Sequence, residues 1–267
     1  MKPAITPATW RGYATFKKRK FKLDEFLDDA VKAEYEGVEL GGGRKVLGKP
    51  QTLRRHLETR GLQVAAYGSR VTYNPWPPNT EEFREAVSYA SEIGCTTMVV
   101  CGGFLPNQRR STYAFDYDMF ASNLGKASEY ARKHGLTLAY HPHRGCIVET
   151  IPEMKEMLKR LPALHVCVDI AHLEASGEDA AKFIRTFKKQ ISYTHIKDYT
   201  WKLDTFVELG RGDGKLNVAK CVKELKRDGY DGWLTVELDK KFAGEAPRLP
   251  VESAKMCRRY LKRNCGV

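Results

Sequence analysis

The chain has 267 residues, of which 42% are hydrophobic and 29% charged, so it can bury a large core and is neither a disordered nor a fibrous polymer. Its formal net charge of +12 admits nucleic acid or an anionic substrate, but the basic residues fall in separate groups (Lys17 to Lys20, Arg54-Arg55, Lys188-Lys189, Arg258-Arg259) that read as solvated helix faces and loops. No run approaches membrane-spanning length, no hydrophobic targeting segment opens the sequence, and the seven cysteines form no CxxC pair, with Cys95, Cys101 and Cys167 in or beside apolar runs; the expectation is a soluble, cytoplasmic protein with reduced thiols.

Pro3 to Trp10 reads as a first strand with Trp10 at its exit, and a basic loop runs on to Lys20. Apolar residues at three-to-four spacing between Phe21 and Val31 predict a helix. Gly37 to Leu40 is a second strand, broken by Gly41 to Gly43. A helix from Gln51 to Arg60 leads to a strand from Leu62 to Gly68. Asn79 or Thr80 caps the next helix, which ends near Gly94, and Thr96 to Cys101 is a strand stopped by Gly102-Gly103. A long loop to Phe115 precedes a helix from Asp118 to His134. The apolar run Leu136 to Tyr140 ends in His141-Pro142-His143, and a helix from Pro152 to Arg160 follows. The run from Val166 ends in Asp169; Gly177 to Lys188 is helical; the run from Ser192 ends in His195. The Gly210 to Gly214 loop reads as a flexible turn before Asn217, an N-cap for the helix Val218 to Arg227, with an anion cradle as the alternative. The turn Gly229 to Gly232 opens the last strand, Trp233 to Glu237, and the last helix ends near Arg263.

The strand exits fall near 9, 40, 68, 101, 141, 169, 195 and 237, and most steps lie between 26 and 33 residues, close to one strand–helix unit. Strict alternation of this kind predicts one α/β domain over residues 1–267, a (β/α)8 barrel, in which all strand ends meet at one face. An open doubly wound sheet is the rival, but no GxGxxG follows the first strand.

Four successive strands end on residues able to bind a metal: His141, Asp169, His195 and Glu237. Two imidazoles and two carboxylates suit one divalent ion, Mn²⁺ first, with Zn²⁺, Co²⁺ or Mg²⁺ as alternatives, and less so Ca²⁺. The competing reading makes each of them a strand cap. His143 lies on the face of His141, and Lys197 on the face of His195, by the strand period of two.

The motifs His141-Pro-His-Arg-Gly145, Val168-Asp-Ile-Ala-His-Leu173, Thr194-His-Ile-Lys-Asp198, Gly212-Asp-Gly214 and Tyr230 to Glu237 resemble the xylose-isomerase-like barrels, the group of sugar phosphate isomerases/epimerases and AP endonuclease family 2, and within it the inosose dehydratase branch. The resemblance implies one metal held at strand ends, with Asp169, His195 and Glu237 matching position by position. The strand-five carboxylate of that family falls on His141 here, which removes one of the two bases of a symmetric epimerase. The implied chemistry is deprotonation beside the carbonyl of a keto-sugar or keto-polyol, followed by loss of water or by epimerisation. Glu237, His143 and Lys197 are the candidate acids and bases. His172, Glu39, Trp10 and Arg70 are candidate substrate contacts, with Arg70 as an alternative partner for Glu39, and Trp201 is a further stacking candidate. A small sugar or polyol is the expected partner; no membrane partner is expected, and self-association is left open. A nuclease on the same barrel needs more metal ligands than seven histidines supply, because His56, His134 and His165 lie on or beside helices.

Overall fold

The computed structural model describes residues 1–72, 80–104, 113–239 and 248–267. Elements alternate in chain order: β1 (Lys2–Ile5), α1 (Ala8–Phe16), α2 (Leu23–Lys32), β2 (Gly37–Leu40), α3 (Gly43–Leu47), α4 (Pro50–Glu58), β3 (Gln63–Val71), α5 (Thr80–Glu92), β4 (Thr97–Gly102), α6 (Ala114–Lys133), β5 (Thr137–Tyr140) and α7 (Ile151–Arg160). The second half adds β6 (His165–Asp169), α8 (Ile170–Ala175), α9 (Ala180–Thr186), β7 (Ile191–Ile196), β8 (Asp198–Thr200), β9 (Thr205–Val207), α10 (Val218–Arg227), β10 (Trp233–Val236) and α11 (Pro250–Tyr260). Eight parallel strands close into a (β/α)8 barrel in the order β1-β10-β7-β6-β5-β4-β3-β2, and β8 and β9 form a separate antiparallel hairpin. Among the described residues, no helix is long and apolar enough to cross a membrane.

Local chemistry fixes the element ends. Thr150 caps α7, with Glu153 reaching back to the Thr150 N–H, and Asn217 caps α10 by accepting the Lys220 N–H. At the β4 exit, Gly102 has φ +152°, and a Cβ there would collide with the Val71 carbonyl; only glycine lets β3 and β4 meet this closely. The main core lies between strands and helices, and includes Phe26, Leu53, Met98, Phe120, Leu138 and Phe183. The barrel interior is filled by smaller groups, Ala4, Ala65, Ala66, Val99, Ala139 and Cys167, together with Tyr193, whose hydroxyl accepts from the Thr235 hydroxyl beside it. None of the seven cysteines is in a disulfide.

The structure departs from the sequence-based expectation at three points. The first strand stops at Ile5, and Trp10 belongs to α1, which takes up most of the segment expected as a basic loop. The short helices α3 and α8 and the β8–β9 hairpin were not anticipated; elements of three to six residues carry too little periodicity to register. The helix expected from Asp118 begins at Ala114. The Asn79 cap and the middle of the loop before Phe115 lie outside the described residues.

Candidate active site

Alternation turns every second strand residue into the barrel. Cys167 and Tyr193, paired in register, sit in the interior cluster, so the next inward pair on β6 and β7 is Asp169 and His195. Val99 and Ala139 set the same phase on β4 and β5, which brings Cys101 and His141 inward at the exits. Thr235 aligns with His195 across β10 and β7, so Glu237 and Lys197 follow together one step on.

Asp169 joins the site to the fold. Its Oδ1 accepts the N–H groups of Ala171 and His172, both at 3.0 Å, and so caps α8. Its Oδ2 lies 3.2 Å from His141 Nε2 and 3.0 Å from Lys197 Nζ. Because α8 starts directly after β6, His172 is turned back over the barrel mouth, its ring centroid 5.4 Å from His141, 3.9 Å from His143 and 4.7 Å from Phe206 of the hairpin. His141, Asp169, His172 and Glu237 each offer one donor atom, and those atoms lie within 4.8 Å of one another.

The donor set fits a divalent ion by a second criterion. Nδ1 of His141, both ring nitrogens of His172 and Nδ1 of His195 are buried without a hydrogen-bond partner. Each such atom costs about 1–3 kcal/mol when left unpaired, so a cluster of them marks a ligand site rather than a packing site. Against that stands Lys197, whose ammonium lies 2.7 Å from Glu237 Oε2, 3.0 Å from Asp169 Oδ2 and 3.0 Å from Asp239 Oδ1, with the Phe206 ring 4.5 Å away. An ion held here and this ammonium would both draw on the Asp169 and Glu237 carboxylates.

The electrostatics follow from burial and these pairings. Burial alone would raise the Asp169 carboxyl, but Lys197, His172 and His141 hold it well below its ordinary range. Burial would likewise raise Glu237, and His195 and Lys197 hold it low. Burial and the Lys197 charge push His172 far down, so its imidazole is neutral. His143 is lowered by burial and by His141. Burial would lower His195 and Lys197, but Cys167, Glu237 and Glu39 keep the first high, and Asp169, Asp239 and Glu237 keep the second high.

The four metal candidates read from sequence therefore meet at one mouth: His195 Nδ1 lies 3.2 Å from Glu237 Oε2 and 3.9 Å from Asp169 Oδ2. His172, expected as a substrate contact, also stands among the donors. Glu39 does not pair with Arg70; its Oε2 lies 2.7 Å from His195 Nε2. Arg70 is exposed near the β3 exit, in register with Cys101. Trp10 is 2% exposed, its ring edge-on to Phe26 and its indole N–H donating to Asp29, so it is core rather than a stacking surface. Trp201 sits on the hairpin turn, its N–H directed at Glu174 and Lys215 over its ring. The Gly210 and Gly212 N–H groups donate to Asp198 Oδ2, which occupies the anion cradle from within the chain.

Asp239 and Phe206 were missed. Asp239 stands two residues past Glu237, so the period of two would have found it; Phe206 arrives on an unforeseen hairpin.

The profile of a family described as the xylose isomerase-like TIM barrel matches residues 27–260. An inosose dehydratase of Halalkalibacterium halodurans is 26% identical over 267 residues, which span 90% of this chain and 86% of the relative. Among solved structures, an L-ribulose 3-epimerase aligns with a TM-score of 0.78 at 15% identity, covering 99% of this chain and 94% of its own. An IolI protein with a bound zinc atom aligns with a TM-score of 0.74 at 18% identity, covering 99% and 96%. At these identities the structural likenesses show the fold.

Proposed function

The chain belongs to the xylose isomerase-like TIM barrel family and is an enzyme, and from that premise we propose that it is a divalent-metal-dependent lyase that removes water from a keto-polyol or keto-sugar, as an inosose dehydratase does by name. The observation that carries the reading is the meeting of His141, Asp169, His172 and Glu237 at the mouth, with buried imidazole nitrogens that nothing else satisfies. These residues, with His195, would hold the ion; Mn²⁺, Zn²⁺ or Co²⁺ suits imidazole and carboxylate together. When bound, the ion supplies Lewis-acid polarisation of the substrate carbonyl and stabilises enediolate charge.

The chain's own groups move the protons. His143 Nδ1–H donates to the Arg144 carbonyl at 2.8 Å, which leaves Nε2 with its lone pair free. With the ring held neutral, His143 Nε2 takes the α-proton, and Glu237 is the alternative base. The C–H electron pair forms the enediolate and then expels the β-hydroxyl. Lys197 Nζ gives that leaving hydroxide a proton, so water departs and a carbon–carbon double bond remains. Arg70 near the mouth is the remaining substrate contact proposed from the sequence. An epimerase shares the first step, but a symmetric one needs a second carboxylate on strand five, where His141 stands. Seven cysteines, none of them in a disulfide, support a reducing, cytoplasmic setting.

Elemental analysis of purified protein should find roughly one divalent ion per chain. Incubation with keto-inositols and ketoses in D₂O should give ion-dependent deuterium uptake and loss of water. Substrates whose protons never exchange with the ion-loaded protein would defeat the proposal. Epimerised product without dehydration would establish the alternative.

A further inference from the structure

Glu39 and His195 are 156 positions apart, yet they form one of the shortest buried contacts at the mouth, 2.7 Å from Oε2 to Nε2, with the side chains only 9% and 3% exposed. A carboxylate accepts but does not donate, so Nε2 must carry the proton in this contact. The other ring nitrogen, Nδ1, is thereby the one turned to Glu237 and Asp169, at 3.2 and 3.9 Å. It lacks the alignment of a hydrogen bond to either and is left without a partner. The neighbouring strand makes room for this arrangement. Residue 68 is glycine, and a Cβ there would lie 3.3 Å from Glu39 Oε1.

We propose that Glu39 is a positioning residue: it anchors His195 through Nε2–H so that Nδ1 faces the Asp169–Glu237 carboxylates as an ion ligand. The inference rests on the divalent ion proposed above. A carboxylate behind a ligating imidazole fixes the ring's tautomer and rotation and raises its basicity. With Nε2–H held by Glu39, the Nδ1 lone pair would be the one offered to an ion.

The test is Mn²⁺ binding by calorimetry to ion-free wild type, Glu39→Ala and Glu39→Gln, each first shown to melt cooperatively. Glu39→Ala should weaken Mn²⁺ about 10–100-fold, the usual loss when such a supporting group is removed. Glu39→Gln, whose amide oxygen still accepts the Nε2–H, should recover a large part of it. Gly68→Ala, which crowds the carboxylate without removing it, should fall between wild type and Glu39→Ala. Affinity in Glu39→Ala within twofold of wild type would overturn the proposal. Should the wild type itself take up no ion, the metal reading fails and the ligand role of Nδ1 falls with it. The anchoring is then read from the imidazole protons of the same samples by nitrogen-resolved NMR. A slowly exchanging, downfield His195 Nε2–H that disappears in Glu39→Ala would uphold the anchoring, and its absence from wild type would refute that too.

Discussion

The two sides of the barrel mouth are built from the same residue types and behave differently. On the β5–α8 side, His141 and His172 present ring nitrogens that are buried and unpaired, with His143 packed beside them. On the β7–β10 side, Lys197 bridges Glu237, Asp169 and Asp239, and His195 is braced by Glu39. Burial penalises a polar atom in either place; the second side answers it with partners inside the chain for all of these groups but His195 Nδ1, whereas the first leaves three ring nitrogens open to a ligand. Asp169 belongs to both, with one oxygen capping α8 and the other shared by His141 and Lys197. The chemistry of the mouth therefore rests on a division of labour between open and closed polar groups rather than on a ring of equivalent ligands.

The largest expected break in that contrast is Asp169→Ala. It strips the α8 cap and leaves Lys197 and His141 without their shared oxygen, so stability should fall by about 3–5 kcal/mol, the usual cost of orphaning a buried charge. Urea melts would measure this, and turnover should vanish with it; Asp169→Asn, which can still cap α8, should recover part of the stability but not the turnover.

Lys197→Met sharpens the contrast from the closed side. If the ammonium and an ion share Asp169 Oδ2 and Glu237 Oε2, removing the ammonium should tighten divalent-ion binding on the order of tenfold, about 1.4 kcal/mol, while dehydration stops for want of the acid. Calorimetry against turnover separates the two effects; weaker ion binding in the variant would show that Lys197 supports the ion rather than opposing it.

The same division sets a pH profile for the ion-free protein. His172 and His143 are held below their ordinary value, so below about pH 6.5 the unfolded chain takes up protons that the fold refuses, and stability falls as pH falls. His195 is held above it, so its contribution is complete below about pH 6.5 and is lost as pH rises toward its folded value. The expected stability maximum lies near neutrality, with slopes of up to about 1.4 kcal/mol per pH unit for each proton. Chemical denaturation across pH 5–9 checks it. Substituting His172 by Gln should flatten the acid limb and leave the alkaline limb in place.

The smallest effect is expected at the rim. Arg144 pairs with Asp204 on the hairpin, both side chains about half exposed or more, and Arg144→Ala should cost under about 1 kcal/mol with little change in ion affinity. A larger loss, read by thermal melting, would mean that the hairpin carrying Phe206 is held at the mouth by this pair.

Much of this was legible in the chain itself. Runs ending in His141, Asp169, His195 and Glu237 at one-unit spacing announce the barrel and its exits, because strand period and βα length are local properties. Trp10 shows where that reading failed: a short strand passing quickly into a helix has no periodicity long enough to mark the boundary, and the indole was settled by Asp29 and Phe26. Glu39 could be placed at a strand end but not given a partner, since its partner lies across the barrel. So the sequence determined which side chains reach the mouth, through alternation and repeat length. Only the closed barrel decided which of their atoms are paired and which stay open, because that depends on distances between strands far apart in the chain and on the low dielectric of the interior that makes each unpaired atom costly.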